Sequence, residues 1–394
     1  MDPLPPHDVE PALEIIDDVH TFSLLAPEWE SLLRDSDADG LFLTWEWVFT
    51  WWKHLAGDCK LQIMTLRRGD LLVAIAPFAL RPASVQHLPP VASLQFLGSG
   101  VAGSDYLDLI VRRGHEAETV RVLSERLNAS GRALAFMRMR PVGPAAMLIE
   151  RMQQRRWHAW QGPSELCPYA SLRGQSFDAY LASLGSEHRY AFRRKLGRIE
   201  RRETASFDLA RTEAERKEAL GALYALHDLR WHSRGEPGAF STQALRDFHD
   251  DLTRTALAAG WLRLWVLRID GKPAAALYGF LRQRTFYFYQ SGFDPAFARD
   301  SVGLVMLGVA VRAAIDEGAD ELDLLHGTES YKAHWTSASR ELVRFELHSP
   351  GTLGFLEREA TALTRRARRI TRAALDMSRR MAAKTMQADH AAPR

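Results

Sequence analysis

Residues 284–335 constrain the fold of this chain more than any other stretch. An aromatic, alternating run from Phe286 to Gln290 predicts a strand, and a loop over 291–300 follows it. A helix begins at Ser301 and ends at Gly318, and Glu321 to Leu325 predicts a second strand. The apolar positions of that helix recur at helical spacing: Leu304, Leu307, Val311 and Ile315. The stretch is therefore a strand–loop–helix–strand unit.

The start of the helix in this unit suits an anion. The sequence Ser301-Val302-Gly303 opens the helix with bare backbone N–H groups beside a glycine, and Arg299 lies close by in the chain. The partial positive charge of a helix start favours phosphate groups. We therefore expect this corner to hold an anion, above all the pyrophosphate of a cofactor.

Length and composition place the chain among soluble proteins of about two domains. It has 394 residues, with 46% apolar and 25% charged residues and a net charge of only +2, so its overall charge does not imply nucleic acid. Cys59 and Cys167 have no metal or redox spacing. The acidic, proline-rich start lacks the features of a signal peptide, and no stretch is long and apolar enough to span a bilayer. We expect a cytoplasmic protein that binds no metal.

The domain organisation follows from the order of the predicted elements. Residues 1–12 form a disordered lead, 13–163 a first domain, 164–350 a second domain, and 351–394 a basic helical tail. Each domain has helices, a hairpin meander and then a strand–helix–strand crossover. The sequence thus predicts a mixed α/β protein made of two domains of one fold.

Five local patterns support this division. Asp270-Gly271 lies between alternating runs and predicts a tight hairpin, and 68–70 predicts another. A helix is expected over 176–202, and Thr212 with Glu215 has the capping-box spacing of a helix start. The helix 45–55 is rich in tryptophan, which either packs the first core or lines a cleft.

The tail carries an apolar seam surrounded by arginine. The seam residues step by four and three: Leu363, Ala367, Ile370, Ala374, Met377 and Met381. The other faces carry seven arginines: Arg365, Arg366, Arg368, Arg369, Arg372, Arg379 and Arg380. Such a helix binds an anionic membrane surface or an acidic partner, or it docks on the body of the protein with a solvated arginine face. Peripheral membrane or partner contact through the tail is therefore one expectation.

The order of these pieces resembles the GCN5-related N-acetyltransferase (GNAT) superfamily. More narrowly, it is similar to the CelD/BcsL-type acetyltransferases of polysaccharide biosynthesis, which are related to the FemABX aminoacyltransferases with two such folds in tandem. The residues that carry the resemblance are Ser301-Val302-Gly303, the run from Leu322 to Gly327, Tyr331-Lys332 and Trp335. The chain departs from the usual pyrophosphate loop, because Arg299 to Leu304 contains one glycine. It also has Leu324 where an aromatic residue is frequent.

The resemblance implies a function and a cosubstrate. It implies two tandem GNAT-like acyl-CoA N-acyltransferase folds and an acetyl-CoA-dependent or other acyl-CoA-dependent transferase. The acceptor would be a sugar, an amino sugar or a small amine of polysaccharide or envelope synthesis. Two alternatives stay open: aminoacyl transfer from charged tRNA, as in the Fem relatives, and a non-catalytic protein that binds CoA or a glycan synthase. DNA is not an expected partner.

The candidate site residues cluster at the second strand's end and at the helix start. Asp323 or Glu329 could act as the base, His326 could also take a proton, and Tyr331 could protonate a leaving thiolate. Lys332 and Trp335 are expected to bind substrate. The cofactor is expected to contact Gln290, Arg299, Ser301, Val302, Gly303 and Leu304. We expect Asp323→Asn and Lys332→Ala each to lower activity more than His326→Ala.

A second basic stretch lies over 186–202. Its arginines either face the CoA nucleotide, a charged glycan precursor or tRNA, or form an ordinary solvated helix face paired with Glu200 and Glu203. The RNA-binding motifs that would sharpen a tRNA assignment are missing from the sequence.

Overall fold

The computed structural model describes residues 10–86, 90–232, 238–327 and 329–391, with backbone only for 230–232 and 372–391. Most of the predicted lead, residues 1–9, lies outside the described residues. The helices within these ranges are α1 (Val19–Leu24), α2 (Ala26–Arg34), α3 (Trp45–Leu55), α4 (Glu116–Ser130), α5 (Pro144–Gln154), α6 (Phe177–Ser183), α7 (Ser186–Glu200), α8 (Glu213–His232), α9 (Gln243–Ala258), α10 (Val302–Asp316) and α11 (Thr352–Ala391).

The strands are shorter and more numerous than the helices. They are β1 (Ala12–Ile16), β2 (Lys60–Leu61), β3 (Ile63–Arg68), β4 (Leu71–Ala76), β5 (Phe78–Arg81), β6 (Ser93–Phe96), β7 (Ile110–Val111), β8 (Ala133–Met139), β9 (His158–Gln161), β10 (Glu165–Ser171), β11 (Ala205–Leu209), β12 (Leu262–Ile269), β13 (Lys272–Arg282), β14 (Thr285–Phe293), β15 (Glu321–Asp323) and β16 (Ala338–His348).

One large sheet joins the two halves of the chain. Its strand order is β11-β12-β13-β14-β15-β10-β16-β8-β6-β5-β2, with β9 beside β16, while β1, β3, β4 and β7 form a separate sheet. The junction is the antiparallel pair β16–β8, so the last strand of the chain is hydrogen-bonded to the first half. Groups contributed by either half can therefore meet at this junction.

Each half contains a parallel crossover, which the sequence predicted. In the second half, β14 and β15 pair in parallel and α10 connects them. In the first half, β6 and β8 pair in parallel, with α4 between them in the chain. The fold is thus mixed α/β, with a parallel crossover in each half.

Several local predictions are confirmed by the structure. The Asp270-Gly271 turn connects the antiparallel strands β12 and β13. The hydroxyl of Thr212 accepts the Glu215 N–H at 3.3 Å, and the Glu215 carboxylate accepts the Thr212 N–H at 3.0 Å. The helix that follows is α8, which begins where the capping box predicts.

Two boundaries in the second half differ from the prediction. The helix expected over 176–202 is two helices, α6 and α7, because Leu184 and Gly185 adopt extended or irregular backbone between them. Strand β14 runs on to Phe293, although Gly292 was expected in a loop. Glycine at this strand position permits the close approach of α8, because a Cβ on residue 292 would lie 2.7 Å from the backbone nitrogen of His227.

The tryptophan-rich helix α3 packs between the halves. Trp47 and Trp51 are almost fully buried. The Trp47 ring lies edge-on to Phe248 and Tyr289 of the second half, at centroid distances of 5.5 and 5.6 Å. These tryptophans are therefore part of the core that fixes the position of one half against the other.

Candidate active site

The two central strands of the second half separate where ligands usually bind. Strands β14 and β15 pair only over Thr285–Tyr287 and Glu321–Asp323. Beyond this pairing β14 continues, whereas β15 ends and is followed by a loop. The carboxyl ends of parallel strands in α/β sheets are the common site for ligands. Two adjoining cavities lie there, here named the helix-start cavity and the interdomain cavity.

The helix-start cavity has a volume of about 250 Å³ and lies at the beginning of α10. Its lining is mostly apolar: Phe288, Ser291, Phe293, Ala298, Ser301, Val302, Gly303, Leu304, Leu307, Tyr331 and Trp335. Ser301 adopts a left-handed conformation (φ +52°), and no side chain caps the helix. The first N–H groups of α10 are therefore left for an anion.

Basic side chains of α7 and of the residues just after it hold the loop in front of helix α10. Asp300 accepts a hydrogen bond from Arg202 at 2.9 Å and pairs with Arg198 at 3.5 Å. The Lys195 ammonium donates to the carbonyl of Arg299. Arg299 itself is exposed and does not line the cavity. Its predicted contact with the cofactor would therefore involve a part of the cofactor that lies outside the helix-start cavity.

The interdomain cavity has a volume of about 350 Å³ and is lined by both halves of the chain. The first half contributes Gly100, Val101, Ala102, Gly103 and Arg138, and the second half contributes Ala239, Phe288, Tyr289, Gln290, Ser291, Leu324, Leu325, His326, Glu329, Tyr331 and Lys332. Phe288, Ser291 and Tyr331 line both cavities. Tyr331 therefore stands at the boundary between them.

His326 is held by a buried carboxylate from the other half. Its Nδ1 lies 2.7 Å from Oδ1 and 3.0 Å from Oδ2 of Asp105, and its backbone N–H donates to Oδ2 at 2.9 Å. Asp105 is fully buried, whereas the His326 side chain is 27% exposed. The carboxylate fixes the ring with Nδ1 as donor, which leaves Nε2 to accept a proton.

Asp323, the leading sequence candidate for the base, is instead enclosed. It is 1% exposed and is not part of the cavity lining. It accepts hydrogen bonds from the Tyr106 hydroxyl at 2.7 Å and the Leu325 N–H at 2.8 Å, and Arg340 lies 3.5 Å away. Burial raises the pKa of Asp323 to about 7, although the Tyr106 and Leu325 hydrogen bonds oppose the shift. Its contacts are those of a carboxylate that ties the two halves together.

Lys332 is also engaged by the protein. Its ammonium donates to the carbonyls of Leu325 at 3.2 Å and His326 at 2.8 Å, and it lies 3.1 Å from the Glu329 carboxylate. Burial raises the pKa of Glu329, but the charge of Lys332 and hydrogen bonds to the carboxylate together outweigh it, so the net shift is downward. Lys332 therefore fixes the loop that carries His326, and Glu329 is half exposed at the cavity.

Four of the eight non-glycine residues with left-handed backbone in the described ranges lie around the two cavities. Tyr106, Arg138, Ser301 and Leu325 all have φ between +49° and +57°. Such conformations are costly for residues with a Cβ and persist only where the surroundings enforce them. Each of these residues lines a cavity or contacts a residue of the site, which is typical of a functional centre.

The loop of the first half that faces the cavity is fixed by hydrogen bonds from aromatic residues. Trp47 donates its indole N–H to Ser104 at 2.8 Å, and Trp51 donates to the carbonyl of Ser99 at 3.1 Å. The Tyr289 hydroxyl donates to the carbonyl of Ala102 at 2.6 Å. The glycines of this loop let its backbone, rather than side chains, form the cavity wall.

The structure brings most of the predicted residues together. Gln290, His326, Glu329, Tyr331 and Lys332 line the interdomain cavity, and Ser301, Val302, Gly303, Leu304, Tyr331 and Trp335 line the helix-start cavity. Trp335 is 1% exposed, and its carbonyl accepts a hydrogen bond from Tyr180. The roles assigned to these residues stay predictions.

Sequence reasoning missed the contribution of the first half. Asp105, Tyr106 and Arg138 were not candidates, nor was the loop 98–104. A signal was present, because the run Gly98-Ser99-Gly100-Val101-Ala102-Gly103 concentrates three glycines directly before Ser104-Asp105. Glycine-rich loops next to polar residues are frequent where backbone approaches a ligand.

The described residues also bear on metal binding and on membrane insertion. Across the described ranges, no group of three or more histidine, cysteine, aspartate or glutamate side chains could hold a metal ion. In the same part of the chain, no helix combines the length and the apolar character needed to cross a bilayer.

Comparisons with known proteins agree with this fold. Residues 186–333 match the family described as an acetyltransferase (GNAT) domain. FemX is similar, with 9% identity and a TM-score of 0.60 over 84% of this chain and 96% of that chain. The C-terminal domain (DUF2156) of a putative lysylphosphatidylglycerol synthetase from Agrobacterium fabrum is also similar, with 14% identity and a TM-score of 0.52 over 87% of this chain and 97% of that chain.

A third solved structure has the same architecture. It is a conserved protein of unknown function from Bacteroides thetaiotaomicron, with 12% identity and a TM-score of 0.55 over 86% of this chain and 100% of that chain. No curated protein matches the sequence. At these identities the solved structures show the fold alone. Residues 186–333 are therefore similar to a GNAT acetyltransferase domain, and the mixed α/β chain shares the fold of these solved structures.

Proposed function

We propose that this protein is an acyl-CoA-dependent acyltransferase, with acetyl-CoA as the first cosubstrate to test. The observation that carries the proposal is the junction of two cavities at Tyr331. An apolar cavity at an uncapped helix start adjoins a polar cavity that contains the His326–Asp105 pair. The finer assignment, to an amine or hydroxyl acceptor of polysaccharide or envelope synthesis, rests on the CelD/BcsL resemblance.

The helix-start cavity has the chemistry that acyl-CoA requires. The N–H groups of Val302, Gly303 and Leu304 would hold the pyrophosphate, and the apolar walls from Phe288 and Phe293 suit the pantetheine arm. A Cβ at Gly303 would make only an ordinary contact with Phe293 at 3.6 Å, so an alanine fits there, whereas a large side chain would occupy the cavity. The thioester would then be directed toward Tyr331.

The interdomain cavity would hold the acceptor. His326 would take the proton from the acceptor amine or hydroxyl through Nε2, while Asp105 stabilises the imidazolium. The acceptor nitrogen or oxygen forms a bond to the thioester carbon, and the carbon–sulfur bond breaks. Tyr331 would donate a proton to the leaving thiolate, because it lines both cavities. Placing both reactants in adjoining cavities supplies most of the advantage of a ternary complex.

Calorimetry with CoA, acetyl-CoA and longer acyl-CoAs tests the proposal directly. We expect binding in the micromolar range that is lost in Gly303→Trp and retained in Gly303→Ala, since the alanine Cβ makes only ordinary contact with Phe293. Thiol release is then followed with a panel of amino sugars, sugars and small amines. Absence of binding by every acyl-CoA refutes the proposal, and binding without turnover on any acceptor favours the non-catalytic alternative.

Aminoacyl transfer from charged tRNA is the second candidate function, and one observation favours it. The outer face of α7 carries exposed Arg193 and Arg194 and the partly buried Arg189 around Tyr190. The Tyr190 side chain is 66% exposed, and the Arg194 guanidinium lies 5.5 Å from its ring. An exposed aromatic among arginines can stack on a base. Tight, salt-dependent binding of aminoacyl-tRNA that is weakened in Tyr190→Ala, without acyl-CoA binding, would favour this function.

A further inference from the structure

Helix α11 docks on the body of the protein through its polar face. Arg365 pairs with the fully buried carboxylate of Glu346, and its guanidinium lies 3.9 Å from the centre of the Trp160 ring. Arg368 donates to the carbonyl of Val85 at 3.3 Å, and Thr361 is fully buried. Part of the basic face expected in solvent is therefore used inside the protein.

The apolar face of the same helix points away from the body. Leu353, Leu356, Leu363 and Ile370 are between 62% and 69% exposed. A helix that serves its own core buries these residues and exposes arginine. Here the arrangement is reversed, so the apolar face is left for a partner.

The spacing of this face, here named the outer seam, identifies the kind of partner. Among the described side chains, the outer seam consists of Leu353, Leu356, Ala360, Leu363, Ala367 and Ile370. The sequence continues the same alternation of steps of three and four through Ala374, Met377 and Met381. This is a heptad repeat sustained over four heptads. On a straight helix such a seam drifts by about 20° per heptad, or about 80° over its length. A flat surface cannot follow that drift, whereas a second helix that supercoils with α11 can.

We infer that the outer seam pairs with the same seam of a second copy of this chain, in antiparallel orientation. One heptad position is mostly alanine (Ala360, Ala367 and Ala374), and the other holds larger residues such as Leu363 and Ile370. Antiparallel helices pair one position with the other, so each small residue meets a large one. Parallel helices would stack alanine on alanine and leave those layers underpacked.

Charge along the seam supports the same orientation. Glu357 and Glu359 flank its beginning, and Arg366 and Arg380 flank its later part. An antiparallel pair in which Ala360 faces Leu363 of the other copy sets Glu359 of each chain beside Arg366 of the other. Parallel pairing would place the basic segments of both chains side by side. An anionic membrane lying on the seam would be repelled by the two glutamates, Glu357 and Glu359, at its beginning.

Sedimentation equilibrium of the full chain at micromolar concentrations tests the inference. We expect a dimer. Leu363→Glu and Ile370→Glu should each raise its dissociation constant by more than about tenfold, since a charge would be buried in the seam. Arg369→Glu is the matched control, because Arg369 is exposed on the same helix but lies off the seam. All three variants should keep the wild-type melting temperature, because none of these side chains packs on the body.

Orientation is tested by reversing charges. Glu359→Arg should weaken the dimer by roughly tenfold at low salt, and adding Arg366→Glu should restore it. An unchanged dissociation constant in Glu359→Arg refutes the antiparallel pairing. A monomeric wild-type chain refutes self-association altogether. Co-sedimentation of that monomer with phosphatidylglycerol vesicles, lost in Ile370→Glu, would assign the seam to a membrane instead.

Discussion

The substitution Asp105→Asn probes the proposed catalytic pair most sharply, because it removes a charge while keeping the shape. The asparagine has one oxygen where the carboxylate has two, and both carboxylate oxygens face donors of His326. Oδ1 lies 2.7 Å from Nδ1, and Oδ2 lies 2.9 Å from the backbone N–H. One of these donors must therefore face the NH₂ group of the asparagine.

Either orientation of the amide impairs the base. If its oxygen takes the place of Oδ2, that oxygen can accept from both Nδ1 and the backbone N–H of His326, but the NH₂ then lies at the Oδ1 position, 2.7 Å from Nδ1. A donor there favours the ring tautomer with its proton on Nε2, which can no longer accept one from the acceptor. If its oxygen faces Nδ1, the NH₂ meets the backbone N–H of His326, which costs about 1–3 kcal/mol. That cost reduces the productive state by about tenfold to a hundredfold. Loss of the charge that stabilises the imidazolium adds to it, so we expect activity to fall about 10²- to 10⁴-fold.

The assay is thiol release from the acyl-CoA with whichever acceptor turns over. Asp108→Asn is the matched control, because Asp108 is equally buried but accepts the N–H groups of Leu109 and Ala145 through one oxygen, which an asparagine keeps. His326→Ala should lower the rate to a similar extent, and the double variant with Asp105→Asn should be little worse than either single one. Activity of Asp105→Asn within about threefold of wild type would refute the pair as the catalytic base.

Three further predictions concern the surroundings of the pair. Lys332→Met should lower the free energy of unfolding by roughly 3 kcal/mol in urea titrations, since two buried carbonyls lose a charged donor; an unchanged midpoint would contradict the fixing role. The folded-state pKa of Asp323, about 7, exceeds the unfolded value, so the folded chain holds this proton between about pH 4 and 7 and stability falls as pH rises. Asp323→Asn should therefore remove roughly 2 kcal/mol of the change in unfolding free energy between about pH 5.5 and 8, and an identical pH dependence would contradict burial as the cause. His249 is fully buried, and burial lowers its pKa to about 3, so its effect on stability runs in the opposite direction with pH. Its contribution to stability is present above about pH 6.5 and is lost as pH falls toward 3. The melting temperature of His249→Phe should therefore be less sensitive to acid than that of wild type.

The geometry also changes the expected order of the sequence-derived variants. From the sequence, Asp323→Asn and Lys332→Ala were expected to lower activity more than His326→Ala. In the structure, Asp323 is enclosed and Lys332 binds backbone carbonyls, whereas His326 lines the cavity. We therefore expect His326→Ala to lower the rate most, and the other two to act mainly through stability.

The sequence by itself determined the local architecture. The crossover around α10, the hairpin at Asp270-Gly271 and the cap of α8 follow from neighbours in the chain, because apolar period, turn residues and caps act over a few residues. The heptad spacing of the outer seam is legible for the same reason. These patterns were enough to place the candidate site at the end of β15 and the start of α10.

Only the tertiary structure decided which side chains meet there. Asp105 and His326 are 221 residues apart, and Tyr106 and Asp323 are 217 apart, and nothing in their separate surroundings marks them as partners. Their contact depends on β16 joining the sheet of the first half. Likewise, the tail's spacing gave an apolar seam, but docking through Arg365 and Glu346 decided that this seam faces outward. Which distant residues meet depends on how the side chains of the whole chain pack together, and that packing depends on residues far apart in the sequence.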